Sequence, residues 1–422
     1  MKRPAKKPAG RPRPLLFRNA AIVDGTTDRA RPGMSVLVAD GRIAEVSERE
    51  ITSPSARVVD LAGKTLMPGL IDCHVHVTAA LTNLGQNAML PDSYLAHRAA
   101  EIMHGMLMRG FTTVRDVAGA DIGLQMASDE GLILGPRLVI CCKALSQTNG
   151  HSDFRGRFDT RDTTWFERKL GMLGRLVDGV DACRKAAREE IKAGAQFIKV
   201  MANGGVASPT DPIAFLGFSR EELTAIVEEA ANARTYVSAH LYTDEAIRRA
   251  VECGVLSVEH ANLIEPATAQ LMKAKGAWAV PTVIVYDALA SEGASLGLPP
   301  DSVAKIETVR VGGMRSLEVL RDAGVMMGYG SDLIGTHMHR LQSEEFLIRA
   351  KVMPAHEVIA HATVNAARIC RMEGQIGAIT PGAHADLLVV EGNPLADLTL
   401  LTGQGRHLSL IMKGGEILKG RA

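Results

Sequence analysis

Leu70-Ile71-Asp72-Cys73-His74-Val75-His76 is a short apolar run that ends in two histidines flanking one valine. Introduced by Pro68-Gly69, a run of this length reads as a buried β-strand. Side chains alternate with period two along a strand, so both imidazoles point the same way and can share one metal ion. Working outward, seven more apolar runs read as strands: residues 112–116, 138–142, 197–201, 236–240, 256–259, 278–283 and 325–328. Helical patterns lie between most of them. Residues 93–109 carry Leu95, Ala99, Ile102 and Met106 on one stripe before Gly110, Ser219-Arg220-Glu221-Glu222 is a capping box, and residues 243–253 stop at Gly254. Such alternation is the signature of β/α units and a parallel sheet. Eight alternations over residues 68–370 predict an α/β fold, a (β/α)8 TIM barrel rather than an open sheet.

The flanks read differently. Between residues 15 and 67, short strand-like runs are punctuated by Asp24-Gly25, Asp40-Gly41 and Ala62-Gly63, which is hairpin chemistry. The last fifty residues look alike, so residues 15–67 plus 371–422 are expected to form one small β-sandwich domain from both termini. Residues 1–14 read as a flexible, Pro-rich basic arm holding Lys2, Arg3, Lys6, Lys7, Arg11 and Arg13. The whole chain balances 48 basic against 47 acidic residues, so without those six the remainder stands at 42 against 47, about −5.

Composition closes off other classes. At 422 residues, 46% apolar, 23% charged, with 41 Gly and 18 Pro, the chain is neither disordered nor collagenous nor a small disulfide scaffold. No secretory signal and no run of about 18 apolar residues is visible, so a cytoplasmic protein without membrane partners is expected. Cys73, Cys141, Cys142, Cys183, Cys253 and Cys370 show no paired spacing and read as reduced, mostly buried thiols. Neither GxGxxG nor GxxxxGK[ST] opens a helix, which leaves a nucleotide-binding reading without support.

Catalytic groups of such barrels come from the C-terminal ends of several strands. His74 and His76 end the first expected strand. Lys199 lies inside the apolar run Phe197-Ile198-Lys199-Val200-Met201, where an unpaired ammonium is costly. His240 and His260 end the fifth and sixth, and Asp332 follows the eighth in Gly330-Ser331-Asp332. Each alone reads equally well as a satisfied polar residue; together they form the ligand set of a solvent-open metal site.

Met67-Pro68-Gly69-Leu70-Ile71-Asp72-Cys73-His74-Val75-His76 resembles the signature of the metal-dependent amidohydrolase superfamily, and Gly377-Ala378-Ile379-Thr380-Pro381-Gly382-Ala383-His384-Ala385-Asp386-Leu387 resembles its return into the β domain. Ile198-Lys199-Val200-Met201-Ala202-Asn203-Gly204-Gly205 resembles the branch of imidazolonepropionase-like amidases and dipeptidases, which includes Xaa-Pro and Xaa-Arg/Lys dipeptidases and ochratoxin-hydrolysing amidases. The resemblance implies two divalent ions, zinc by default for such donors. It gives His74, His76 and Asp332 to one ion, His240 and His260 to the other, and makes Lys199 an N6-carboxylated bridge. A carbamate offers two hard oxygens where an ammonium offers no lone pair. Imidazolonepropionase itself has one metal and no such lysine, so Lys199 argues against that activity.

The implied reaction is attack of a metal-bridging hydroxide on an amide, with Asp332 moving the proton to the leaving amine. Tyr242, two residues after His240, is placed to donate to the oxyanion. His151, in Asn149-Gly150-His151-Ser152-Asp153, resembles the branch's substrate-side histidine. The loop 203–218 is read as a wall or lid, and His337 and Arg340 as candidate substrate contacts. The expected substrate is a dipeptide or N-acyl amino acid cleaved at the amide to its C-terminal residue, ochratoxin A included. The alternatives are a cyclic amide or lactone, or a metal-free scaffold whose basic arm binds nucleic acid or an anionic membrane. Specific nucleic-acid binding is not expected; a symmetric homo-oligomer is. His97, His104, His356 and His361 read as surface or packing residues, and Met103, Met106 and Met108 as core filler.

Overall fold

Asp40-Gly41 (φ 51° and 76°) does what its sequence suggests and joins the antiparallel strands Arg31–Ala39 and Arg42–Ser47. Ala62-Gly63 (φ 50° and 84°) also turns left-handed but closes no hairpin, because the strands on either side of it both lie parallel to Leu15–Ile22. These turns set the course of the chain in a computed structural model that describes residues 13–165, 167–298 and 300–421. The basic arm expected at residues 1–14 lies outside the described residues save for its last two.

Eight strands from the two flanks form one mixed sheet. Its order is Glu416–Lys419, Leu408–Lys413, Leu387–Val390, Thr65–Pro68, Leu15–Ile22, Arg31–Ala39 and Arg42–Ser47, with Arg57–Asp60 also paired to Leu15–Ile22. A two-sheet sandwich was expected. Hydrogen bonding instead runs through a single sheet that folds back on itself: the Ile43 amide donates to Ala383 (2.9 Å) and the Gly382 amide to Ile43 (2.8 Å). Inside the fold, Phe17, Val36, Leu66, Leu387, Leu410 and Met412 make a separate apolar core.

The middle of the chain carries parallel strands. Leu70–Val75, Phe111–Asp116 and Arg137–Ile140 make a three-stranded sheet, and Ala144–Ser146, Gly174–Leu176, Ile198–Met201, Val237–Thr243, Ser257–Leu263 and Trp278–Val280 a six-stranded one. The expected strand 138–142 ends early because Cys142 takes φ 60°, which breaks the extended run, and pairing resumes at Ala144. Residues 325–328, expected as an eighth strand, hold only one bridge, Met327 to Ala279. Glycine explains the shortfall: Gly328 and Gly330 have no side chain to pack on a pleat, and a Cβ on Gly328 would fall 2.5 Å from Ile369 Cδ1. The segment is nonetheless bonded on both sides, Gly328 N–H to Ala279 (2.9 Å) and Cys73 N–H to Tyr329 (2.7 Å), while Gln196 N–H reaches Ile140 (2.8 Å) between the two sheets.

Helices cover the strands. Asp92–Met108 buries Leu95, Ala99, Ile102, Met103, Met106 and Leu107, and Arg220–Asn232 opens with the expected Ser219/Glu222 capping box. Among the described residues no helix is long and apolar enough to cross a membrane. All six cysteines are free thiols, and all but Cys253 are buried.

Candidate metal centre and active site

His74 and His76 stand at and just past the end of Leu70–Val75, and both Nε2 atoms lie 3.2 Å from Asp332 Oδ1. Their outer nitrogens are occupied. His74 Nδ1 is 2.8 Å from Glu259 Oε2, and His76 Nδ1 donates to the Ala118 carbonyl at 3.0 Å. A carbonyl or carboxylate partner fixes the proton on Nδ1 and leaves Nε2 as the lone-pair nitrogen, the arrangement of a metal-binding histidine.

His260 ends the same way, with Nδ1 2.8 Å from Thr282 Oγ1 and a buried Nε2 without a hydrogen-bond partner. His240 turns Nε2 toward the Gly204 carbonyl (3.3 Å), which leaves Nδ1 as its donor atom. The His260 ring sits between His74 and His240, 4.8 and 4.6 Å away by centroid. Donor atoms of His74, His260 and Asp332 all fall within 4.8 Å of one another, a spacing that suits one ion. The orphaned His260 nitrogen and the carboxylate oxygen shared by two imidazoles fit a divalent metal.

Backbone conformation brings these groups in. Strict alternation would set Glu259 and His260 on opposite faces. His260 (φ 72°), Ala261 (φ 58°) and Asp332 (φ 53°) all occupy the left-handed region, which is strained for residues with a side chain. The bend lets Glu259 lie behind His74 while His260 faces it. Asp332 is placed by its backbone N–H, which donates a hydrogen bond to the His74 carbonyl (2.8 Å), and its neighbour Ser331 donates to Asp72 (2.6 Å).

Protonation follows from this packing. Burial and the adjacent cationic groups hold His240 and His260 well below the usual imidazole range, in the neutral form that binds metal. Burial pushes the Asp332 carboxyl up, but His74, His76 and His260 outweigh it and hold the group ionised, well below the carboxylate range. Burial lowers the Lys199 ammonium, with Glu259 and Asp332 acting in the opposite sense. Burial raises the Tyr242 phenol, so it remains a donor; its oxygen is 3.1 Å from that of Tyr286.

Above these groups opens a cleft lined by His76, Asp332, His151, Tyr242, Tyr286 and apolar side chains such as Val206, Leu289 and Ile334. His151 stacks on His240 at 4.1 Å and is held through Nδ1 by Ser208 Oγ at 2.7 Å. Lys199 is buried on the strand Ile198–Met201. Two expected substrate contacts do not reach the cleft. Arg340 is engaged by Glu292 at 2.6 Å, and the largely exposed His337 lies 3.6 Å from the same carboxylate, because the chain turns away after Ile334.

Sequence reasoning missed the layer behind the ligands. Glu259, fully buried, accepts from Arg115 (2.7 and 2.8 Å), Ser238 and Ser257 (both 2.6 Å) besides His74. Arg115 also donates to the Cys73 carbonyl at 2.6 Å. The available signal was a charged residue inside each of two apolar strands, Arg115 and Glu259. Tyr286 and Thr282 carried none: residues 278–283 read as one strand, whereas the strand ends at Val280 and a helix begins at Val283.

Residues 65–417 match the amidohydrolase family. Ochratoxinase of Aspergillus niger is 32% identical over 405 residues, 92% of this chain and 83% of that protein. Its crystal structure aligns with a TM-score of 0.83 over 97% of this chain and 96% of that one, at 29% identity. A prolidase crystallised with N-methylphosphonate-L-proline aligns with a TM-score of 0.95 at 48% identity, covering 97% and 100%. A Xaa-Pro dipeptidase with methionine bound in its active site aligns at 0.86 and 27%, covering 96% and 100%.

Proposed function

The chain belongs to the amidohydrolase family and hydrolyses amide bonds, and from that premise we propose that it releases the C-terminal residue of a dipeptide or N-acyl amino acid, with proline the first residue to test. One observation supports the reading: His74, His76 and Asp332 meet within 3.2 Å, with the His260 and His240 rings beside them, at the floor of a cleft whose wall offers His151 and Tyr242. Proline is favoured by the 48%-identical prolidase, whose ligand places a tetrahedral phosphorus on the proline nitrogen where a substrate has a planar acyl carbon. Phenylalanine amides, ochratoxin A among them, come second, favoured by the likeness to ochratoxinase.

The residues divide the work as follows. His74, His76, His240, His260, Asp332 and a carboxylated Lys199 would hold two divalent ions, zinc by default, and such ions would supply Lewis acidity toward a water and the scissile carbonyl. Asp332, ionised and next to two imidazole nitrogens, takes the proton and passes it to the leaving amine. The Tyr242 phenol donates to the developing oxyanion, and His151 meets the substrate carboxylate. The backbone bonds that flank residues 326–329 and join Gln196 to Ile140 support reading the two parallel sheets as one closed (β/α)8 barrel over residues 68–370, beside a domain of residues 15–67 and 371–422.

Elemental analysis paired with a free-amino-acid assay on C-terminal Pro, Phe, Arg and Lys substrates tests the proposal. About two ions per chain with proline release is the expected result. Metal-free, inactive protein in a fresh preparation would overturn it.

A further inference from the structure

We infer that Lys305 is a positioning residue for substrate binding, acting through the loop that follows Ile198–Met201; the inference rests on the reading above that His151 meets the substrate. Lys305 belongs to the helix Pro300–Asp322 and lines no part of the cleft. Its ammonium donates to three carbonyls of one loop, Gly205 (2.8 Å), Ser208 (2.7 Å) and Asp211 (2.8 Å), and lies 3.7 Å from Asp211 Oδ1. An ammonium has three N–H donors, and here all three go to a seven-residue stretch of chain that wraps around it.

The wrapped stretch is what holds His151. Ser208 Oγ is 2.7 Å from His151 Nδ1, Asp211 Oδ2 is 3.6 Å from the same nitrogen, and Asp211 Oδ2 also accepts from the Gly205 amide at 2.8 Å. Gly205 leaves the ring its space: a Cβ there would stand 1.8 Å from His151 Nδ1 and 1.9 Å from Cε1. Val206 and Ala207, between these anchors, line the cleft. One side chain outside the cleft thus fixes both a stretch of its wall and the orientation of the imidazole stacked on His240. Arginine is a poor replacement, because a planar guanidinium does not reproduce a three-way ammonium.

Kinetics on glycyl-proline with the metal-loaded full chain tests the role. Lys305→Met is expected to raise KM about tenfold with kcat within about threefold and metal content unchanged, the pattern of lost uniform binding. In a His151→Asn background the same change should alter KM by less than about twofold, since both act on one contact. Fully multiplicative effects would show that Lys305 acts independently of His151 and would overturn the inference. Gly205→Ala should reproduce the KM change with Lys305 in place, and Lys305→Gln, which keeps a polar end group but not three donors, carries the test if Lys305→Met fails to fold.

Hydrogen exchange supplies a readout free of turnover. Amides of residues 205–211 should exchange at least about tenfold faster in Lys305→Met, with the helix Ala355–His361 unaffected. Unchanged loop exchange would overturn the anchoring. A wild-type chain that releases no proline would instead sink the substrate reading and the KM claim with it, leaving exchange to decide whether Lys305 fixes the loop.

Discussion

Asp332 is the residue on which the site's charges meet, one carboxylate oxygen 3.2 Å from each of two imidazole nitrogens. Asp332→Asn keeps the shape and removes the charge, so kcat should fall at least about 100-fold with the circular dichroism spectrum unchanged; wild-type turnover would remove Asp332 from proton transfer. Behind it, Glu259 and Arg115 form an ion pair with no exposed surface. Glu259→Gln strands a buried guanidinium and loosens His74, and is expected to lower stability by about 3 kcal/mol and metal affinity by about 10- to 100-fold. Denaturant unfolding and calorimetric metal titration measure the two effects separately.

At the scale of elements, strand ends were legible and strand corners were not. Hydrophobic runs located Leu70–Val75 to the residue, and period two placed His74 and His76 on one side. Nothing in the local sequence marks the left-handed bends at Cys142, His260 and Asp332, because tertiary contacts hold residues there against their own preference. The segment 325–328 shows the opposite case, glycines reducing an expected strand to one bridge. Arg340 was misplaced because its pairing with Glu292 depends on a chain separation of 48 residues. The turn Met338–Glu344 adds a prediction about acid. It buries His339, whose imidazole is pushed down to about 3 by burial and by nearby Arg109. An unfolded histidine takes its proton near pH 6.5, so this group's stabilisation is complete above that pH and is lost progressively as pH falls toward 3. Between pH 7.5 and 4.5, wild type should lose about 3 kcal/mol more stability than His339→Gln. Parallel losses in urea titrations at the two pH values would refute that.

For the whole molecule, metal loading and lysine chemistry are predicted to be coupled. Chelation should abolish turnover, and zinc returned with bicarbonate should restore it faster than zinc alone, since forming a carbamate on Lys199 consumes carbon dioxide. Equal recovery rates would argue against a carbamate. Lys199→Ala should bind fewer ions by elemental analysis. The folded-back sheet has a consequence in time rather than space. Thr65 bonds to Gly392 across 327 residues of sequence, and at a synthesis rate of roughly 5 to 20 residues per second its partner emerges from the ribosome about 15 to 65 seconds later. Throughout that interval the hairpins built first present an unpaired edge, so a nascent chain halted before residue 387 should depend on chaperones for solubility in a way that the finished chain does not.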